Sequence, residues 1–128
     1  MELCGRDVVC PIVPMFHVNA WAVPYLAPLS GAKLVFPGPA LDGPSLHALF
    51  DAEGVTCTSG VPTVWMGLLR YMEDNNKRFA SLKRLLVGGS AVPLSMIKTF
   101  EETYGVRACQ GPSKSGVCEV ANTQITAG

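Results

Sequence analysis

Leu85-Leu86-Val87-Gly88-Gly89-Ser90-Ala91-Val92-Pro93 is the stretch on which the fold turns. Its three leading apolar residues suit a buried strand, and the two glycines end that strand. Pro93 then opens a helix in which Met96, Ile97, Phe100 and Tyr104 share one face. Gly105 stops the helix, and residues 106–110 begin another strand. A strand, a helix and a strand joined by such short connections make a βαβ unit with a right-handed crossover.

The same alternation runs back toward the N-terminus. Residues 8–13 form an apolar strand. Residues 17–29 are apolar with Trp21, Tyr25 and Leu29 at four-residue spacing, which predicts one buried helix despite Pro24. Residues 33–36 are strand-like and stop at Pro37-Gly38-Pro39. Residues 44–53 read as a helix burying Leu46, Leu49 and Phe50, with His47 turned to solvent and Gly54 as its stop. Residues 55–58 make a short strand, and Pro62 opens a helix that buries Val64, Trp65, Leu68, Leu69 and Met72. Strand and helix alternate about four times. The expected fold is α/β, a mainly parallel sheet of about four strands with covering helices at 44–53, 62–74 and 93–104. Residues 1–110 form this unit, and residues 111–128 read as a divergent or irregular tail.

Composition narrows the functional classes. The chain has 128 residues, 48% of them hydrophobic and 16% charged, a balance that suits a buried α/β interior and not disorder. Ten Lys and Arg offset ten Asp and Glu, so no global field favours nucleic acid or an anionic membrane. Lys77, Arg78, Lys83 and Arg84 are the densest basic stretch, read first as a solvated loop and second as a docking patch for an anionic cosubstrate. The five cysteines are widely spaced without a C-x-x-C pair, so neither a disulfide framework nor a zinc site is expected. Reduced thiols fit a cytoplasmic protein. The first residues lack a signal peptide's basic-then-apolar order, and no transmembrane segment is expected, because Pro14, His17, Asn19, Pro24 and Pro28 interrupt the most apolar run.

In an open parallel sheet, ligands bind beyond the carboxyl ends of the strands, so chemistry is sought in the turns that follow them. Three turns qualify. One holds Phe16, His17, Asn19 and Trp21; one is Ser59-Gly60-Val61-Pro62-Thr63; one is Gly88-Gly89-Ser90-Ala91. Paired glycines let a ligand approach the backbone, although the same turn serves helix–strand packing equally well. His17 alone fits a hydrogen-bonded helix-end histidine as well as a base, and a base needs a matched nucleophile or metal.

Read together and in order, the turns resemble a family. Pro14-Met15-Phe16-His17-Val18-Asn19-Ala20-Trp21 is similar to the aromatic-histidine motif of AMP-forming acyl-CoA synthetases, members of the adenylate-forming superfamily with luciferases and peptide-synthetase adenylation domains. Gly31-Ala32-Lys33-Leu34-Val35-Phe36-Pro37-Gly38-Pro39, Gly60-Val61-Pro62-Thr63-Val64-Trp65 and Leu82 to Ala91 follow at family-like distances. The His-Val-Asn-Ala-Trp form most resembles medium- and long-chain fatty acid ligases.

The resemblance implies that the full enzyme joins a fatty acid to ATP, releases pyrophosphate, and passes the acyl group from AMP to coenzyme A with Mg²⁺ assisting. It places catalytic His17 beside the acyl carboxylate. Phe16, Trp21, Val61, Pro62, Thr63 and Trp65 line the acyl pocket. Gly88, Gly89, Ser90 and Ala91, with Gly111 and Ser113 further on, border the nucleotide. No metal ligand is assigned, because Lys114 stands where the family's Mg²⁺-binding acid is expected, and a cation cannot ligate Mg²⁺. The family's phosphate loop is expected before this segment, and its lid lysine after it. The chain therefore reads as an internal piece of the large N-terminal domain, inactive alone and prone to self-association through faces its neighbours would cover. The alternative is a stand-alone, non-catalytic module that binds an apolar ligand or a protein.

Overall fold

The computed structural model describes residues 2–110. Five parallel strands form one sheet in the order β2-β1-β3-β4-β5, where β1 is Val8–Pro11, β2 Lys33–Leu34, β3 Cys57–Gly60, β4 Arg84–Val87 and β5 Arg107–Gln110. The parallel α/β architecture is as expected, and all five segments read as strand-like pair in it, so the sheet has five strands and not about four, with the two-residue β2 at the β1 edge. The register aligns Pro11 with Ser59, Ser59 with Leu86, and Leu86 with Cys109.

Side chains alternate along each strand, so the sheet has two distinct faces. On one face lie Cys10, Leu85, Val87 and Ala108, packed with Trp65, Leu68, Met72 and Phe100. The covering elements are α3 (Gly43–Glu53), α4 (Pro62–Asp74), α5 (Leu94–Lys98) and a π-helical turn, Thr99–Thr103. Helix α3 begins at Gly43, one residue before the expected start, because Asp42 caps it, its carboxylate accepting from the Ser45 N–H at 3.1 Å. On the other face Val9 and Cys57 pack with Val23 and Ala27 of α2 (Val23–Leu29).

The predicted single helix over 17–29 does not form. The chain makes a four-residue element, α1 (Val18–Trp21), and then a separate α2. Pro24 is the reason: inside a continuous helix its ring would strike the carbonyl of Ala20, whereas in the first turn of α2 it is tolerated. The four-residue spacing of Trp21, Tyr25 and Leu29 also marks the wrong face. Val23 and Ala27 are buried, while Tyr25 and Leu29 are exposed.

His47 is likewise not turned to solvent. It is buried, with Nε2 3.0 Å from the Arg78 carbonyl oxygen and its ring stacked on Phe79 and edge-on to Tyr71. Of the basic stretch, Lys77, Arg78 and Lys83 are exposed, as a solvated loop requires. Arg84 instead opens β4 and pairs with the buried Asp7 at 2.5 Å. Burial by itself would raise the Asp7 pKa, but Arg84, the Cys4 N–H and the Thr56 hydroxyl outweigh it. They hold the carboxyl well below the usual carboxylate range. Among the described residues no helix is long and apolar enough to cross a membrane.

Candidate functional site

All strands run the same way, so the turns after β1, β3 and β4 gather at one edge of the sheet. Three of the sequence motifs therefore share that edge, which is the placement binding at strand carboxyl ends requires.

The turn after β1 has an unusual backbone. Asn19, Ala20, Trp21 and Ala22 all lie at positive φ, between 48° and 60°. A left-handed turn costs roughly 1–2 kcal/mol for each residue bearing a Cβ. Two hydrogen bonds close it, from Ala20 N–H to His17 O at 3.0 Å and from Ala22 N–H to Asn19 O at 3.1 Å. Ala20 is completely buried within it.

The turn delivers Trp21 to the glycine pair. A Cβ on Gly88 would stand 3.0 Å from Cη2 of Trp21, tighter than ordinary van der Waals contact, so glycine lets the ring sit close to the strand end. Gly89 sits at φ +84°, and a Cβ there would stand 3.1 Å from Cγ1 of Val61. One residue from each motif thus meets at Gly88-Gly89, where both glycines allow close side-chain packing. Ser90 and Ala91 continue it as exposed residues at the sheet edge.

The remaining candidates divide. His17 and Phe16 are exposed beside this contact in sequence, Phe16 at 91%. Thr63 is exposed on the first turn of α4, and Pro62 is buried there. Trp65 is not on this side at all. It is fully buried on the opposite face of the sheet, edge-on to Phe100, and a Cβ on Gly60 would fall 2.6 Å from its ring. Gly111 and Ser113, with Lys114, lie outside the described residues.

Neither Cys10 nor Cys57 offers His17 a ready thiolate. Burial pushes Cys10 up to about 12 and Cys57 up to about 11, so both stay protonated and unreactive near neutrality. Among the described residues no group of three or more His, Cys, Asp or Glu could hold a metal ion. A 360 Å³ apolar cavity lies beside the His17 turn, lined in part by Ile12, Val13, Met15, Phe36 and Leu41. One feature escaped the sequence reading. Ser59 is completely buried and its hydroxyl has no hydrogen-bond partner among the described residues, which no sequence pattern signals.

The model of the AMP-binding enzyme family matches residues 1–118. The chain belongs to that family. Within it, the chain is 59% identical over 109 residues to the long-chain-fatty-acid–CoA ligase of Thermus thermophilus, covering 85% of this chain and 20% of the relative. It is 56% identical over 127 residues to the medium-chain-fatty-acid–CoA ligase of Ectopseudomonas oleovorans, covering 98% and 23%. Its fold matches the N-terminal domain of FACL13 from Mycobacterium tuberculosis at a TM-score of 0.77, with 22% identity, over 88% of this chain and 28% of that one. The chain spans about a fifth of the length of the ligases it matches. Family membership and the adenylate-forming type of fold agree with the resemblance carried by the three motifs.

Proposed function

We propose that this chain is the part of an AMP-forming fatty-acid–CoA ligase that holds the acyl chain against the nucleotide. The observation that carries this reading is the packing of Trp21 on Gly88, because it joins the aromatic-histidine motif to the glycine turn at one strand edge. High identity to medium- and long-chain ligases supports the substrate class.

In this reading His17 lies beside the acyl carboxylate, and Phe16, Trp21 and Val61 present apolar surface to the first carbons of the chain. Pro62 and Thr63 border that wall at the start of α4. Trp65 acts from behind the sheet, shaping Gly60 instead of touching the acyl chain. The exposed backbone of Gly89, Ser90 and Ala91 offers its polar groups to the edge of an adenine ring. ATP supplies the α-phosphorus that the carboxylate attacks. Pyrophosphate leaves, and coenzyme A then takes the acyl group from AMP. The described residues offer Mg²⁺ no carboxylate cluster, so the metal is assigned to none of them. A reduced, cytoplasmic setting is consistent with the lack of any disulfide among the described cysteines, Cys4, Cys10, Cys57 and Cys109. Self-association would cover the exposed Tyr25, Leu26 and Leu29 of α2.

Calorimetry with a medium-chain acid and ATP–pyrophosphate exchange, both on this 128-residue chain, test the reading. The expected outcome is binding of the acid without exchange, since stabilising the charge that develops on phosphate needs amide donors and a cation that these residues do not bring together. Failure to bind any fatty acid would overturn the acyl assignment. Robust exchange would overturn its incompleteness as a catalyst.

A further inference from the structure

The two faces of β4 and β5 are unequally covered. On one, Leu85, Val87 and Ala108 are buried in the cluster that holds Trp65 and Phe100. On the other, alternation places Arg84, Leu86, Arg107 and Cys109. Leu86 and Cys109 are half-buried there, and Arg107 is exposed. Helix α2 lies over β1 and β2, toward the opposite edge of the sheet. A cavity of 240 Å³ opens on the β4–β5 side, lined in part by Glu2, Cys57, Arg84, Leu86, Arg107 and Cys109. Cys57, Arg84 and Arg107 begin their strands, so the cavity sits at the end of the sheet away from the candidate site.

A parallel sheet is normally covered by helices on both faces, because its strands carry apolar side chains on each. The open strip spans β3 to β5, two strand spacings or about 10 Å, which is the diameter of one helix. Charge selects the kind of helix. Arg84 and Arg107 are register partners, so their side chains start next to each other on this face. Arg84 is engaged: its guanidinium pairs with Asp7 and donates to the Glu2 carbonyl. Arg107 has no ion pair among the described residues. Glu2, the carboxylate in the lining, is exposed and does not pair with it. A helix seated on Leu86 and Cys109 meets a cationic group that a carboxylate satisfies and an ammonium opposes.

We propose that this strip is a docking surface for an amphipathic α-helix from ligase sequence outside these 128 residues. Its apolar side chains cover Leu86 and Cys109, and a carboxylate on it pairs with Arg107. This chain spans about a fifth of the ligases it matches, which leaves ample sequence to supply such a helix.

Two helical peptides of about 15 residues, one of Leu and Glu and one of Leu and Lys, probe the 128-residue chain. Fluorescence anisotropy should show the Leu–Glu peptide bound more tightly by about two- to fivefold, the range of one part-exposed ion pair. Arg107→Gln should bring the two affinities together, and Arg107→Glu should reverse their order. An unchanged preference in both variants overturns the proposal, as does failure of the wild type to bind either peptide. Iodoacetamide labelling of the wild type needs no variant to fold: saturating Leu–Glu peptide should abolish alkylation of Cys109. Alkylation of Cys109 at the full rate in the bound protein overturns the proposal. Leu29→Ser, on the exposed side of α2, should leave binding unchanged. A loss of binding in that variant moves the docking surface to α2 and overturns the assignment to β4–β5. Sedimentation in which Arg107→Glu abolishes self-association makes a second copy the occupant, which overturns the helix.

Discussion

The sheet carries a tryptophan against a glycine twice, once on each face, and the two contacts do different work. Trp65 lies on Gly60 in the interior, completely buried, with Leu68, Met72 and Phe100 in the same cluster. Trp21 lies on Gly88 at the sheet edge, half-buried, and is held there by four consecutive residues at positive φ. The first contact is supported by a regular helix and many apolar neighbours, so it stabilises the fold. The second is made by a backbone conformation that costs energy, and a strained turn at a strand edge belongs with ligand handling more than with stability. Similar ring-on-glycine packing thus serves a core on one side and, in the function proposed above, the acyl site on the other.

Removing the two rings should separate these roles most sharply. Trp65→Ala is expected to cost about 3–5 kcal/mol, as large aromatic truncations in a core do. Trp21→Ala should cost about 1 kcal/mol, nearer the centre of the distribution for single substitutions. Urea unfolding of both variants measures the difference, and equal losses would erase the distinction drawn here.

The α2 face is secured at its far end by charge. Asp7, Arg84 and Thr56 tie the strands together at the end opposite the site. Because the folded Asp7 pKa lies below its unfolded value near 3.9, its contribution is complete above about pH 4 and is lost as the pH falls further. Asp7→Asn should cost about 1.5–3 kcal/mol at neutral pH. It should also flatten the fall in stability below about pH 4. Denaturation midpoints measured from pH 7 to pH 3 check both effects, and parallel curves for variant and wild type would show that the ion pair adds nothing.

The smallest expected change tests the strain itself. Ala22 is exposed at φ 60°, so glycine there relieves left-handed backbone without opening a cavity. Ala22→Gly should stabilise the chain by about 0.5–1 kcal/mol, the αL penalty less the entropy that glycine loses on folding. A destabilised variant by thermal melting would mean that the turn is relaxed.

Much of this molecule was legible before any coordinates. Pro62 and Asp74 bound α4 as the periodicity of Val64, Trp65, Leu68, Leu69 and Met72 indicates, and Gly54 and Gly105 end their helices at positive φ. Parallel pairing followed from alternation and short connections, which brought the three motifs to one edge. Such features are local: apolar period, proline and glycine act within a few residues, and the right-handed crossover rule does the rest. Tertiary structure alone decided which face each ring joined. Trp65 and Trp21 look alike in sequence, yet one is core and the other rim, because strand alternation and helix placement assign faces only once the sheet is assembled. His47 followed Leu46 by one residue and was read as exposed, but Phe79 and Tyr71, from distant segments, enclose it. The left-handed path from Asn19 to Ala22 could not be read either, since no glycine marks it and intrinsic preference opposes it. The buried hydroxyl of Ser59 is of the same kind. Whether a polar side chain finds a partner depends on residues far along the chain, and local sequence does not contain that information.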